Sequence, residues 1–234
     1  DRRSAARRRQ GHDDNTDLVE PARAALPLHA MKLDAALELA DWRRQVATMY
    51  AEVRAAHAPE AGWHLWRERR ERLFLEHPQS PLPAADRSPE NAPRYFDYDP
   101  ALRILAAVES LPEEDVVLPA SQPEDFHATK VGTARFHLHD AECALGVFWL
   151  SGYAGGIFLS FRDGTSGAET YGAGRYLLDT AKSADLGTED GRLVLDFNFA
   201  YQPSCSYDPV WSCPLAPREN WLSAEVRAGE RSPS

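Results

Sequence analysis

The chain has 234 residues, a hydrophobic content of 43% and a formal net charge of −10. This composition is typical of a folded globular domain, and the acidic charge argues against nucleic acid or an anionic membrane as the main partner, since both select a basic face. Three cysteines are too few for a disulfide-stapled domain and no apolar stretch reaches bilayer length, so we expect a cytoplasmic protein.

The first 30 residues differ from the rest of the chain. Residues 1–30 are polar and rich in arginine, and Pro21 and Pro27 interrupt them. They carry too few apolar side chains to cover a core, so we predict a disordered, Arg-rich arm. Blocks of like charge usually behave as solvated tails, and a phosphate-binding arm is the alternative interpretation.

Two helices are predicted after the arm. Apolar residues from Leu33 onward recur at a spacing of three and four, which predicts an amphipathic helix that ends near His57. A second helix is predicted to begin near Gly62 and to stop at Pro78. We therefore expect a helical region over residues 31–78 that packs on the core.

The remainder of the chain has the patterns of strands and turns. Residues 79–98 form a Pro-rich connector, and residues 99–230 contain short alternating or apolar segments separated by Gly and Pro. Predicted strands include segments at about 170–178, 192–199 and 221–227. The predicted fold class is α+β, mainly β: an antiparallel β-sandwich or partly closed barrel preceded by two N-terminal helices.

Several sequence motifs in the chain carry more polar residues than strands and turns require. They are FRDGTSGAETYGAGRYL from Phe161, DFNFAYQPSC from Asp196, CPLAPREN from Cys213 and AGE at the end. Together with WRERRERLFLEHPQSPL from Trp66, they resemble the bacterial family DUF1684, a domain of unknown function. The resemblance covers roughly residues 60 to 230 and implies a family and a boundary, but no activity.

The first functional hypothesis is a β domain that binds a small polar or anionic molecule. An Arg among carboxylates and tyrosines offers a planar fork of donors that suits a carboxylate or phosphate. Asp196 and Asn198 are two positions apart on a predicted strand, so we expect them on one face. The predicted ligand-binding residues are Arg162, Tyr171, Arg175, Tyr176 and Asn198.

Two other functional hypotheses involve residues of the same motifs. A hydrolase or isomerase would use Asp163 or Asp196 as acid and base, with Arg162 or Arg175 stabilising developing negative charge. An interaction scaffold would instead have these residues as buried structural pairs. A shared accessible cavity would favour binding or catalysis, whereas separate buried contacts would favour the scaffold.

Cys205 and Cys213 lie in a Pro-rich loop and leave several interpretations open. Cys205 is a candidate nucleophile, but no His follows His139, so its base would have to come from another strand. Buried packing thiols are the alternative, and a reducing compartment disfavours a disulfide. The cysteine spacing lacks the second pair of a zinc site, and the glycines lack the context of a phosphate loop, so we predict no metal and no cofactor.

Overall fold

The computed structural model describes residues 32–232, and the residues from Leu33 onward lie in one compact unit. The arm predicted over residues 1–30 lies outside the described residues. Two α-helices come first in the described chain, α1 (Leu33–Arg54) and α2 (Pro59–Glu76). The strands follow as β1 (Arg94–Tyr95), β2 (Arg103–Leu118), β3 (Phe126–Leu138), β4 (Ala141–Leu150), β5 (Gly156–Phe161), β6 (Arg175–Asp179), β7 (Thr188–Glu189), β8 (Arg192–Asp196) and β9 (Glu230–Arg231).

The two helices differ from the predicted ones only at the loop that joins them. α1 ends at Arg54 instead of near His57, and α2 begins at Pro59 instead of near Gly62. Proline is favoured at the first helical position because the backbone N–H that it lacks has no partner there. Among residues 32–232, neither helix combines the length and apolar character needed to cross a bilayer.

The strands form a seven-stranded antiparallel sheet in the order β6-β5-β4-β3-β2-β8-β7, and β1 pairs with β9 in a separate small sheet. The large sheet is a half-barrel, which confirms the mainly β class preceded by two helices. β3 and β4 form a hairpin that turns at His139, which has a φ of 50°. That left-handed conformation allows the tight turn.

Three predicted strand limits are corrected by the structure. The segment 170–178 is a strand only from Arg175, because Gly174 has a φ of 101° and makes the turn before it. The segment 192–199 ends as a strand at Asp196 and continues as a short 3₁₀ helix. The segment 221–227 is not a strand, and the chain pairs later, in β9. At Asp196 the side-chain carboxylate accepts a hydrogen bond from Asn198 N at 3.0 Å, and this local contact begins the 3₁₀ turn.

Two hydrophobic clusters join the parts of the fold. The larger one lies inside the β domain and includes Phe161 and Phe197, whose ring centroids are 5.1 Å apart. The second connects the helices to the β domain through Trp66, which is fully buried and lies 5.3 Å from the ring of Phe199. The indole N–H of Trp66 donates to the hydroxyl of Tyr50 at 3.2 Å. The helical layer therefore forms part of the folded core.

Candidate functional site

A cavity of about 300 Å³ lies between the two helices and the β domain. One wall consists of apolar and aromatic side chains of the helices, among them Trp42, Val46 and Phe74. The opposite wall comes from the β domain and includes Tyr201 and Trp211. Small-molecule sites are typically concave, mostly apolar and about 300–1,000 Å³ in volume. This cavity is likewise mostly apolar, and its volume lies at the lower end of that range.

Among residues 32–232, the charged residues around this cavity are all basic. Arg43, Arg70 and Lys182 line it, and none of the described lining residues is Asp or Glu, although the whole chain carries a net charge of −10. Lys182 is paired with Asp179 at 3.0 Å, and Arg70 is paired with Glu230. Within residues 32–232, Arg43 has no carboxylate partner. The cavity therefore favours an anionic group over a cationic one.

Tyr176 is one predicted ligand-binding residue that the structure places at the cavity. Its hydroxyl donates to the carbonyl oxygen of Pro214, and its ring lies 5.6 Å from that of Tyr201. Burial raises the pKa of Tyr176 well above its usual value. The side chain is therefore a neutral, fixed part of the cavity wall.

Arg175 does not face the cavity but lies in the protein interior, with a fully buried side chain. Its guanidinium donates to three backbone carbonyl oxygens near the C-terminus: those of Val226 at 2.8 Å, Glu230 at 3.1 Å and Ala228. It also pairs with the carboxylate of Asp163 at 3.3 Å. Arg175 thus fixes the C-terminal segment to the sheet.

Both carboxylate oxygens of Asp163 are occupied by contacts within the fold. Oδ2 accepts hydrogen bonds from the backbone N–H of Val226 at 2.7 Å and from the hydroxyl of Thr165 at 2.8 Å. Oδ1 accepts from the hydroxyl of Ser166 at 3.2 Å and from Arg175. The Asp163–Arg175 pair is therefore a buried structural pair of the kind that the scaffold hypothesis describes.

Asp196 and Asn198 form a second buried group, separate from Arg175. The amide of Asn198 donates to Asp99 O and to Asp196 Oδ1, both at 2.8 Å, and its oxygen accepts from Asp99 N at 2.8 Å. Within residues 32–232, Asp196 Oδ2 has no hydrogen-bond partner. Burial raises the pKa of Asp196 from 3.8 to about 6, against the hydrogen bonds from Asn198 that lower it.

This raised pKa predicts a pH-dependent stability. The folded-state pKa lies above the unfolded value, so the carboxyl of Asp196 favours folding below about pH 4, and that contribution is lost as the pH rises through about 6. Asp196→Asn stays neutral, so its stability relative to wild type is expected to increase by up to about 3 kcal/mol from pH 4 to pH 8. Urea unfolding at each pH measures this difference, with exposed Asp190→Asn as the control. Parallel pH profiles of Asp196→Asn and wild type would contradict the assignment.

Arg162 and Tyr171 have two further, separate environments. The guanidinium of Arg162 lies 4.0 Å from the ring centroid of Trp221, and Arg218 lies 4.5 Å from the same ring. The hydroxyl of Tyr171 is 3.8 Å from Cys205 Sγ, and burial raises the pKa of Tyr171 to about 12. The predicted site residues are thus distributed over several contacts and do not share one cavity.

Cys205 and Cys213 are free thiols that contact each other. Hydrogen bonds from Cys213, Ser121 and Tyr171 lower the pKa of Cys205 to about 6, although burial acts in the opposite direction. The same contact with Cys205 raises the pKa of Cys213. In the part of the chain that the structure describes, no three His, Cys, Asp or Glu residues are grouped so that they would hold a metal ion.

A family model for proteins of unknown function, DUF1684, matches residues 91–231. The chain belongs to the DUF1684 family. Among solved structures, it is similar to the solution NMR structure of an uncharacterized protein of Haloarcula marismortui, with 36% sequence identity and a TM-score of 0.55. That similarity covers 74% of this chain and 94% of the other. No curated protein matches the sequence.

The last motif of the DUF1684 match, AGE, supplies one partner of a second buried ion pair. The side chain of Glu230 is fully buried, and its carboxylate pairs with Arg70 of α2. It also accepts hydrogen bonds from the backbone N–H of Gln202 at 2.7 Å and the hydroxyl of Tyr207 at 3.1 Å. At Gly229, a Cβ would lie 2.3 Å from a backbone oxygen, so the approach requires glycine.

Asn220, in the CPLAPREN motif, has a buried side chain that joins strands β4 and β5 of the sheet. Its side-chain oxygen accepts from Gly146 N at 2.7 Å, and its amide donates to Gly146 O at 3.1 Å and Ser160 O at 2.8 Å. Buried polar side chains that satisfy backbone groups specify one arrangement of the fold. The buried polar residues of these DUF1684 motifs thus hold loops against the sheet.

The sequence interpretation did not identify the helical wall of the cavity as part of a site. Trp42 and Val46 belong to the apolar spacing that predicts α1, and that spacing is the same for a packed core and for a cavity wall. Arg70 falls on the corresponding stripe of α2, between Trp66 and Phe74. A charged residue in an apolar stripe was the one signal for the buried contact with Glu230.

Proposed function

We propose that this DUF1684 protein is a small-ligand-binding domain, with the ligand in the cavity between the helices and the β domain. The observation that supports this most is that the described part of the chain gives the cavity apolar walls with three basic residues and no acidic ones. In a chain with a net charge of −10, such a cavity selects against cations. The ligand class is a small molecule with an aromatic or aliphatic body and one carboxylate or phosphate group.

Each part of this ligand has a complementary part of the cavity. Trp42 and Tyr201 supply aromatic surface for the apolar body. Arg43 supplies a cationic group that no carboxylate in residues 32–232 neutralises. Gln202 and Ser204 also line the cavity and supply polar groups that orient a ligand.

This proposal keeps the ligand type expected from the sequence and changes its position. Of the expected ligand-binding residues, Tyr176 contributes to the wall, whereas Arg162, Tyr171, Arg175 and Asn198 stabilise the surrounding fold. Asp163 and Asp196, the expected acid and base, do not line this cavity. The contacts of Asp163 are those of a structural residue, so ligand binding without catalysis accounts best for the arrangement.

A thermal-shift series tests the ligand class. Aromatic and medium-chain carboxylates and phosphates are compared with the alcohols and amines of the same carbon skeleton. Because a ligand that binds only the folded state raises its stability, the anionic compounds are expected to raise Tm and the amines are not. Equal shifts for anions and amines, or no shift with any anion, would exclude the proposal.

A pair of neighbouring variants tests the position of the ligand. Arg43→Gln is expected to weaken binding of the best anion by about fivefold, since an exposed charge contributes modestly. Arg44→Gln makes the same charge change on the same helix, but Arg44 contacts Asp41 at 3.0 Å and does not line the cavity. Its Kd in calorimetry is expected to equal that of wild type. Equal losses in both variants would place the anion elsewhere.

A further inference from the structure

Cys205 and Cys213 form a pair of adjacent free thiols beside the cavity. Cys205 lies in a 3₁₀ turn, Ser204–Ser206, and Cys213 follows in the same Pro-rich loop. Two reciprocal hydrogen bonds of 3.0 Å connect Cys213 to Ser121: Ser121 N donates to Cys213 O, and Cys213 N donates to the Ser121 hydroxyl. The backbone of Cys213 is therefore anchored to the loop between β2 and β3, and Cys205 lies on a short turn earlier in the same Pro-rich loop.

We propose that Cys205 and Cys213 form a hydroperoxide-sensitive dithiol that closes into a reversible disulfide. Cys205 is the attacking thiol and Cys213 is the resolving thiol. Such a site requires two thiols in contact, hydrogen-bond donors at the attacking sulfur and a route for a small oxidant. The loop provides the first two, and the cavity provides the third.

The surroundings of Cys205 stabilise its thiolate. The hydroxyl of Tyr171 lies 3.8 Å from the sulfur. Hydrogen bonds, first that from Cys213, lower the pKa of Cys205 below that of a free thiol, which raises its thiolate fraction. Cys143 is the contrast within the same chain, because burial raises its pKa.

The cavity gives a small oxidant access to this pair. Ser204, which precedes Cys205, and Cys213 both line the cavity. A small oxidant in the cavity therefore meets the Cys213 side chain and the residue that precedes Cys205, and Cys205 itself is 9% exposed.

The reaction proceeds in two balanced steps. The Cys205 thiolate attacks the terminal oxygen of the hydroperoxide, the O–O bond breaks, and the leaving alkoxide or hydroxide takes a proton, which leaves a sulfenic acid. The Cys213 sulfur then attacks the Cys205 sulfur, the S–O bond breaks, and the departing hydroxide takes the Cys213 proton to form water. Overall, two thiols lose two electrons, and the hydroperoxide is reduced to an alcohol, or to water if it is hydrogen peroxide.

Peptide mass mapping of the whole protein after hydrogen peroxide treatment tests this proposal, with no ligand added. Trypsin leaves Cys205 and Cys213 together in peptide 193–218 and Cys143 in peptide 136–162. We expect peptide 193–218 to lose two hydrogens and to regain them with dithiothreitol. Its oxidation is expected to be on the order of tenfold faster than that of Cys143, and to slow as the pH falls below about 6.

Three variants separate the roles of the residues. Cys213→Ser is expected to stop the chemistry at a sulfenic acid on Cys205, which dimedone traps. Tyr171→Phe keeps the ring and removes the hydroxyl, so it is expected to slow the oxidation several-fold without loss of folding. Cys143→Ser is the matched control and is expected to react like wild type. Oxidation of Cys143 at the same rate, or of Cys205 only to irreversible acids, would overturn the proposal, whatever the outcome of the ligand series.

Discussion

Glu230→Gln is expected to lower the free energy of unfolding by about 3–5 kcal/mol, because it leaves the cation of Arg70 in the interior without its counter-charge. Glutamine has nearly the same shape, so the loss reports charge and hydrogen bonding, not a cavity. It also turns an amide N–H toward a place where Gln202 N and the Tyr207 hydroxyl donate. Urea unfolding monitored by tryptophan fluorescence measures the change.

The exposed pair on the same helix provides the control for this experiment. Glu68 and Arg72 are 2.9 Å apart on α2, with both side chains more than half exposed. Glu68→Gln removes the same charge and is expected to change stability by about 0.5 kcal/mol or less. A loss of that small size for Glu230→Gln as well would show that the buried pair is not what holds the C-terminal segment to α2.

Arg175→Met is expected to cost about 3–5 kcal/mol for a related reason. Methionine occupies similar space but donates no hydrogen bond, so Asp163 keeps a buried charge without its counter-charge. The carbonyl oxygens of Val226 and Ala228 also lose their donor. Hydrogen exchange should show faster exchange at residues 226–231 than in wild type, in addition to the lower stability in urea.

Arg135→Met is the matched substitution at the surface of the sheet. Arg135 on β3 pairs with Glu109 at 3.0 Å, and both side chains are more than half exposed. The expected change is within about 1 kcal/mol, with no local effect on residues 226–231. If Arg175→Met behaved in the same way, Arg175 would be free to act on a ligand, and its assignment to the structural frame would fail.

These contacts separate two roles that the DUF1684 motifs combine in the sequence. Arg175, Asp163 and Glu230 connect the C-terminal segment to β6 and α2, and Asn220 connects the loop before it to the sheet. The proposed ligand cavity lies next to this frame and uses side chains of α1 that precede the matched residues 91–231. Under the proposed function, the motifs maintain the shape of the cavity, and the helices supply much of its lining.

The sequence by itself determined the features that depend on local patterns. Three-and-four spacing and the prolines that limit it identified the helices, and alternation and turn residues identified the antiparallel β class. These features depend on residues a few positions apart, so periodicity and turn chemistry are enough to predict them. The strand limits at Gly174 and Asp196 were missed because side-chain and turn geometry ended those strands.

Only the tertiary structure decided which polar residues face a cavity and which face each other. Arg70 and Glu230 are 160 positions apart, and Asn198 binds the backbone of Asp99 at a separation of 99. No local pattern encodes such distances, and a polar residue has the same letter whether it holds the fold or binds a ligand. The acid-free cavity likewise arises where α1, α2 and the Pro-rich loop meet, and its charge depends on which side chains packing brings together.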